Sequence, residues 1–136
     1  MPTAAHAEST KSACVYNPEI GTACITVYHT GTFVSKVFAT HEYRSDRLSD
    51  HCGGSLNNPS DVYMYFSLTG TLSSGSPYSI RGTGRCDVEG NWAAEGKAEY
   101  KTFVANRTFK SGSSLCVRTS YLTPADDGLK RACVGL

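Results

Sequence analysis

Six cysteines carry the clearest chemistry in this chain: Cys14, Cys24, Cys52, Cys86, Cys116 and Cys133. They are even in number and spread along the whole sequence. No two have the C-x2-C spacing of a zinc site or redox motif. Three disulfides account for them most simply, which implies an oxidising compartment. Sequence cannot choose among the pairings. Neighbour pairing is the expectation: Cys14 with Cys24, Cys52 with Cys86, and Cys116 with Cys133. Oxidised cysteines leave no thiolate to act as nucleophile or metal ligand. The four histidines, His6, His29, His41 and His51, match no ligand motif. His29 and His41 would face each other only across a hairpin, and are expected as partly exposed strand residues. Asp50 beside His51 could form an acid–base pair, but an Asp next to a His in a loop is ordinarily solvated. Asp87 and Glu89 would share one strand face about 7 Å apart, a separation that glycoside hydrolysis can use. A turn edge before Gly90 is the expected role of the pair. Gly82-x-Gly84 lacks the third glycine and the helix of a phosphate loop. Asn106-Arg107-Thr108 has the N-glycosylation pattern, which matters only in a eukaryotic secretory pathway. No catalytic residue, metal ligand or cofactor can be assigned, and a non-enzymatic protein is expected.

One local likeness is set aside on its own residues. His51-Cys52-Gly53-Gly54-Ser55-Leu56 resembles the H-x-C-G-G-S-L segment of trypsin-like serine proteases, and Thr3-Ala4-Ala5-His6 resembles their T-A-A-H segment. The two stand in the reverse of that family's order. No G-D-S-G-G segment is present, and the chain is too short for two barrels. His6 and Ser55 are therefore not read as a catalytic dyad.

The elements that must hold these residues read as strands. In 62–68, Val62, Met64, Phe66 and Leu68 alternate with Tyr63, Tyr65 and Ser67, which marks a half-buried strand with a tyrosine-bearing outer face. Residues 24–29 are β-branched and aromatic. A turn at 29–32 leads into a second strand over 33–43, so the pair forms a hairpin. Tyr78–Arg85 is a strand candidate interrupted by Gly82 and Gly84. In 115–122, Leu115, Val117, Thr119 and Tyr121 share one face. A short last strand at 131–135 contains Cys133. The stretch 91–104 is read as a strand against a helical alternative. Its apolar face would be Trp92, Ala94, Ala98, Tyr100 and Val104, and its outer face Glu95, Lys97, Glu99 and Lys101. Polar loops cover 44–59, 73–77 and 123–128. The expected fold is all-β: a disulfide-stabilised β-sandwich or small barrel of about seven or eight strands.

The chain has 136 residues, with 13 Lys and Arg against 12 Asp and Glu, a formal net charge of +1. One domain is the default at that length. The charge balance argues against nucleic acid as a partner, and no apolar run is long enough to span a membrane. Charge is uneven: residues 97–136 carry seven basic and three acidic side chains, and residues 1–68 four and six. Ala5-His6-Ala7 fits the A-x-A pattern of a signal-peptidase site, though the upstream charged and apolar regions are missing. Residues 1–7 are read as a signal-peptide remnant and 8–136 as a single secreted β-rich domain. Residues 8–13 are polar and would form a free arm able to add a strand to a partner's sheet. The tyrosines point to an interface, since large amphipathic rings on a sheet face suit protein contacts and sugar stacking. Tyr63 and Tyr65, with Arg47 and His51 of the 44–59 loop, are the candidate interface residues.

In size, A-H-A pattern and Ser/Thr/Gly-rich six-cysteine build, the chain resembles small secreted proteins of filamentous actinobacteria. Among these it is similar in outline to the adaptor subunits of umbrella toxin particles, which link a lectin-like subunit to a stalked toxin. The likeness is architectural and assigns no residue. It implies a secreted protein-binding module whose partner is another secreted protein. The alternatives are a lectin-like module that binds carbohydrate at cell surfaces, and a protease inhibitor or small toxin presenting the 44–59 loop.

Overall fold

Alternation of apolar and polar side chains sets the architecture, because a strand with one apolar face must bury it against a second layer. The computed structural model describes residues 7–18, 20–43, 65–86, 98–120 and 129–136. These form nine strands and no helix: β1 (Ser9–Asn17), β2 (Gly21–Thr30), β3 (Phe33–Tyr43), β4 (Tyr65–Thr71), β5 (Pro77–Thr83), the two-residue β6 (Arg85–Cys86), β7 (Ala98–Thr108), β8 (Ser114–Ser120) and β9 (Ala132–Gly135). They build two antiparallel sheets, ordered β1-β2-β3-β7-β6 and β5-β4-β8-β9. The result is an open sandwich and not a closed barrel.

The β2–β3 hairpin follows directly from its residues. Ala23, Ile25 and Val27 are fully buried, and the strand alternates strictly between buried and half-buried positions. Thr30 pairs with Phe33 across a two-residue turn, and Gly31 takes φ 59° at its first position. That is the type II′ arrangement, whose twist matches the flanking strands. The first sheet contributes Ile25, Val27, Val34, Val37 and Phe103 to the core. The second contributes Phe66, Leu68, Leu115, Val117 and Val134. At one end Phe109 is buried where three connections meet: its N–H donates to the Thr32 carbonyl, Lys110 N–H to Thr71, and Ser73 N–H to Thr108.

The two flanks of the sandwich are closed differently. On one, the chain passes from β5 in the second sheet to β6 in the first through Gly84. A Cβ there would strike the Phe66 ring and approach the Tyr100 carbonyl at 3.3 Å, so only glycine fits the crossing. On the other, Asn17 at the end of β1 reaches the segment entering β9. Its Nδ2 donates to the Lys130 carbonyl at 3.2 Å, and its Oδ1 accepts from Lys130 N–H at 2.8 Å. Lys11 Nζ donates to the Gly135 carbonyl at 2.9 Å on the same flank.

Cys14–Cys24 joins β1 to β2, and Cys116–Cys133 joins β8 to β9, as neighbour pairing predicts. Cys52 lies outside the described residues, so the third pairing does too. The two disulfides are compatible with an oxidising extracellular setting. No helix among the described residues is long and apolar enough to cross a membrane. Residues 1–6 lie outside the described residues, and Glu8 accepts a hydrogen bond from Ser35 Oγ.

Two sequence expectations are corrected here. Residues 9–13 are not a free arm: β1 pairs with β2 along its whole length, from Ser9↔His29 to Asn17↔Gly21. The face assignment within 98–104 is also inverted. Glu99 is fully buried and Phe103 nearly so, while Val104 is 69% exposed. Pairing with β3 fixes this, because Val37↔Phe103 places the phenyl ring in the core. A one-residue change in register exchanges the two faces of a strand, and Phe103 outweighs the alanines in deciding it.

Candidate functional site

The two histidines among the described residues, His29 and His41, serve the fold. His41 is fully buried, with Nδ1 2.7 Å from Thr119 Oγ1 and Nε2 3.0 Å from the Ile20 carbonyl. A carbonyl only accepts, so Nε2 carries the hydrogen and ties the turn before β2 to β3. Thr119 ties the same ring to the opposite sheet. His29 is buried near the hairpin turn, its Nδ1 donating to the Gly31 carbonyl at 2.8 Å, while Nε2 has no partner. Neither is a partly exposed strand residue. Nor do they face each other, since His29 pairs with Val34 and His41 with Ala23. The hairpin is long enough to put them at opposite ends. Among the described residues no cluster of His, Cys, Asp or Glu could hold a metal. Asp50, His51, Asp87 and Glu89 lie outside the described residues.

Of the candidate interface residues, Arg47, His51 and Tyr63 also lie outside the described residues. Tyr65 is half-buried on the outer face of β4, between Thr83 of β5 and Ser120 of β8. Phe66 and Leu68 are buried behind it, as the alternation predicts.

Further along that outer face, register creates an arrangement invisible in the linear sequence. Ser67 pairs with Arg81 on one side and Arg118 on the other. Val117 pairs with Ala132, so Arg131, just before β9, stands beside Arg118. Together with Thr69 and Ser79, these residues line a cleft of about 130 Å³. Arg131 Nη1 lies 3.5 Å from Thr69 Oγ1. The three arginines are widely separated in the chain, and only the order β5-β4-β8-β9 brings them together.

The outer face of the five-stranded sheet has a different chemistry. Its β1–β2 half is polar, with Ser12 Oγ 2.9 Å from Thr26 Oγ1 and the Cys14–Cys24 disulfide beside them. Its β3–β7 half is aromatic and apolar. Phe38 and Tyr100 stack with centroids 5.9 Å apart, Lys36 Nζ lies 4.5 Å from the centre of the Tyr28 ring, and Val104 projects next to Lys36. Tyr16, 56% exposed, stands on the same outer face but at the far edge of the sheet, on β1. The sequence reading missed this surface because it assigned Tyr100 and Val104 to the core.

Compared with known proteins, the chain matches no family model, no curated protein and no solved structure.

Proposed function

We propose that this chain is a secreted, non-enzymatic binding module that docks another extracellular protein through the outer face of β3 and β7. The observation that carries the reading is the apolar and aromatic surface of Phe38, Tyr100 and Val104 on the face of an antiparallel sheet turned away from the core. Such faces are ordinarily polar when solvated. Aromatic rings are enriched where proteins meet, and burying a valine or a phenyl ring is worth about 1.5–3 kcal/mol. Phe38 and Tyr100 stand on β3 and β7, two paired interior strands of the sheet, so the surface needs little ordering on binding. The likeness in build to toxin-particle adaptors gives the reading its specific form, a subunit that links components of a secreted toxin complex.

The stacked Phe38–Tyr100 rings, flanked by Thr40 and Thr102, favour a second reading as a sugar-stacking platform. Affinity capture from the secreted fraction of the native culture tests the first. Oxidised wild-type protein should retain one stoichiometric protein, and Val104→Asp, folded with an unchanged melting temperature, should lose at least tenfold of it. Capture by neither protein, or equally by both, contradicts the assignment of the face. A glycan array signal abolished by Tyr100→Ala would favour carbohydrate instead.

A further inference from the structure

We propose that the edge of β5 binds an extended acidic peptide segment of a partner protein, which adds a strand to the four-stranded sheet. The site lies on the flank, separate from the docking face of β3 and β7, and does not depend on it. The other edges are closed or short. β1 and β9 are each fastened by a disulfide and bridged by Lys11, and β6 is two residues long. β5 has seven residues and pairs only with β4 among the described residues, with Pro77, Ser79, Ile80, Arg81 and Thr83 exposed. Leu72 N–H donates to the Ser76 carbonyl where the β4–β5 hairpin closes, and the Thr71 carbonyl accepts from Lys110. Bonded pairs alternate along the hairpin, so Tyr78, Ile80 and Gly82 turn their backbone groups toward β4. The N–H and carbonyl groups of Ser79, Arg81 and Thr83 point the other way. Such a row is a template for an added strand.

Charge specifies the occupant. On the core-facing side of β5, Ile80 is 38% exposed although Leu68 beside it is fully buried. Lys101 reaches over Gly82, its Nζ 3.0 Å from where a Cβ would sit, and the Arg107 guanidinium lies 5.9 Å from the centre of the Tyr78 ring. Arg81 stands on the outer side. The described carboxylates are elsewhere: Glu8 precedes β1, Glu42 is on β3, and Glu99 is fully buried. A second copy of this edge would only double the cations, whereas an acidic strand complements them. Strand geometry then sets a pattern. In an antiparallel partner, the residues facing Gly82, Ile80 and Tyr78 share the core-facing side, about 7 Å from one to the next. The first and last are acidic, meeting Lys101 and Arg107, and the middle one is apolar, meeting Ile80. A second acidic residue, directly after the first, meets Arg81. The motif is acid–acid–apolar–any–acid.

Isothermal titration calorimetry on the oxidised full chain tests this with the capped peptide Thr-Asp-Asp-Ile-Thr-Glu-Thr. Two controls accompany it: the same peptide with lysine at the acidic positions, and the same peptide methylated at the two amide nitrogens that face Arg81 and Ser79. The acidic peptide should bind, more weakly as salt rises. The lysine peptide and the methylated peptide should each bind at least tenfold more weakly, the second because its charges are intact but its ladder bonds are blocked. Arg81→Gln and Lys101→Gln should each reduce affinity threefold or more, while Lys36→Gln on the other sheet should leave it unchanged. No binding of the acidic peptide overturns the proposal. So does methylated peptide binding as tightly as the parent, which would mean attraction of charge without an added strand, or binding indifferent to both Arg81→Gln and Lys101→Gln.

Discussion

Tyr78 shows how one side chain links packing to pH. Its ring meets Phe109 edge-on with centroids 5.1 Å apart, and the Arg107 guanidinium lies 5.9 Å from its centre. Burial raises the phenol's pKa above the ordinary 10.0, and the nearby Arg107 charge offsets part of that rise. The folded protein therefore holds this proton more tightly than the unfolded chain does. The stability this contributes is complete below the unfolded value and drains away as pH climbs through the folded one. Tyr78→Phe should flatten the loss of stability above about pH 10, measured by urea unfolding across alkaline pH. An identical alkaline slope in wild type and variant would contradict this. At this scale the sequence was informative about type and silent about burial. That His41 and Glu99 are fully enclosed depends on partners such as Thr119, distant in the chain, and no spacing encodes them.

At the scale of elements, both disulfides fasten an edge strand to its neighbour: β1 to β2, and β9 to β8. Edge strands have pairing on one side only and open first. The sequence separation of 17 for Cys116–Cys133 corresponds to about 3 kcal/mol of loop-closure entropy. Replacing both cysteines with alanine should lower stability by about that amount. Hydrogen exchange should then show β9 amides losing protection before those of β8. Loss from both strands together would mean that the bridge supports the whole sheet and not its edge. The β2–β3 hairpin was legible because its turn glycine and its alternation agree. β7 was legible as a strand but not in its facing, since Ala98 and Tyr100 suggested one face and Phe103 the other. Only pairing with β3 decides between them. The passage of β5 into β6 was visible only as an interruption at Gly84. Its meaning, a change of sheet beneath the Phe66 ring, requires the opposite layer.

Over the whole molecule, one core separates two outer surfaces of different chemistry. The five-stranded sheet presents Phe38, Tyr100 and Val104, and the four-stranded sheet presents Arg81, Arg118 and Arg131 with their hydroxyl neighbours. The all-β class and the two cross-strand disulfides could be read from composition and spacing, because they depend on local alternation and nearby cysteines. The surfaces could not, because the first joins β3 to β7, far apart in the chain, and the second gathers residues across β5, β4, β8 and the segment before β9, an order only the fold supplies. Tyr65, which alternation placed outward, is the one anticipated interface residue that the structure locates, on the arginine-bearing sheet. The most direct test of the docking face is site-specific photo-crosslinking in the native culture fluid. A crosslinker replaces Thr102, which lies on the outer face opposite Phe38. A control replaces exposed Lys110, beyond the end of β7. The account predicts one crosslinked protein from position 102 and none from position 110. Equal crosslinking from both positions, or none from position 102, would contradict it.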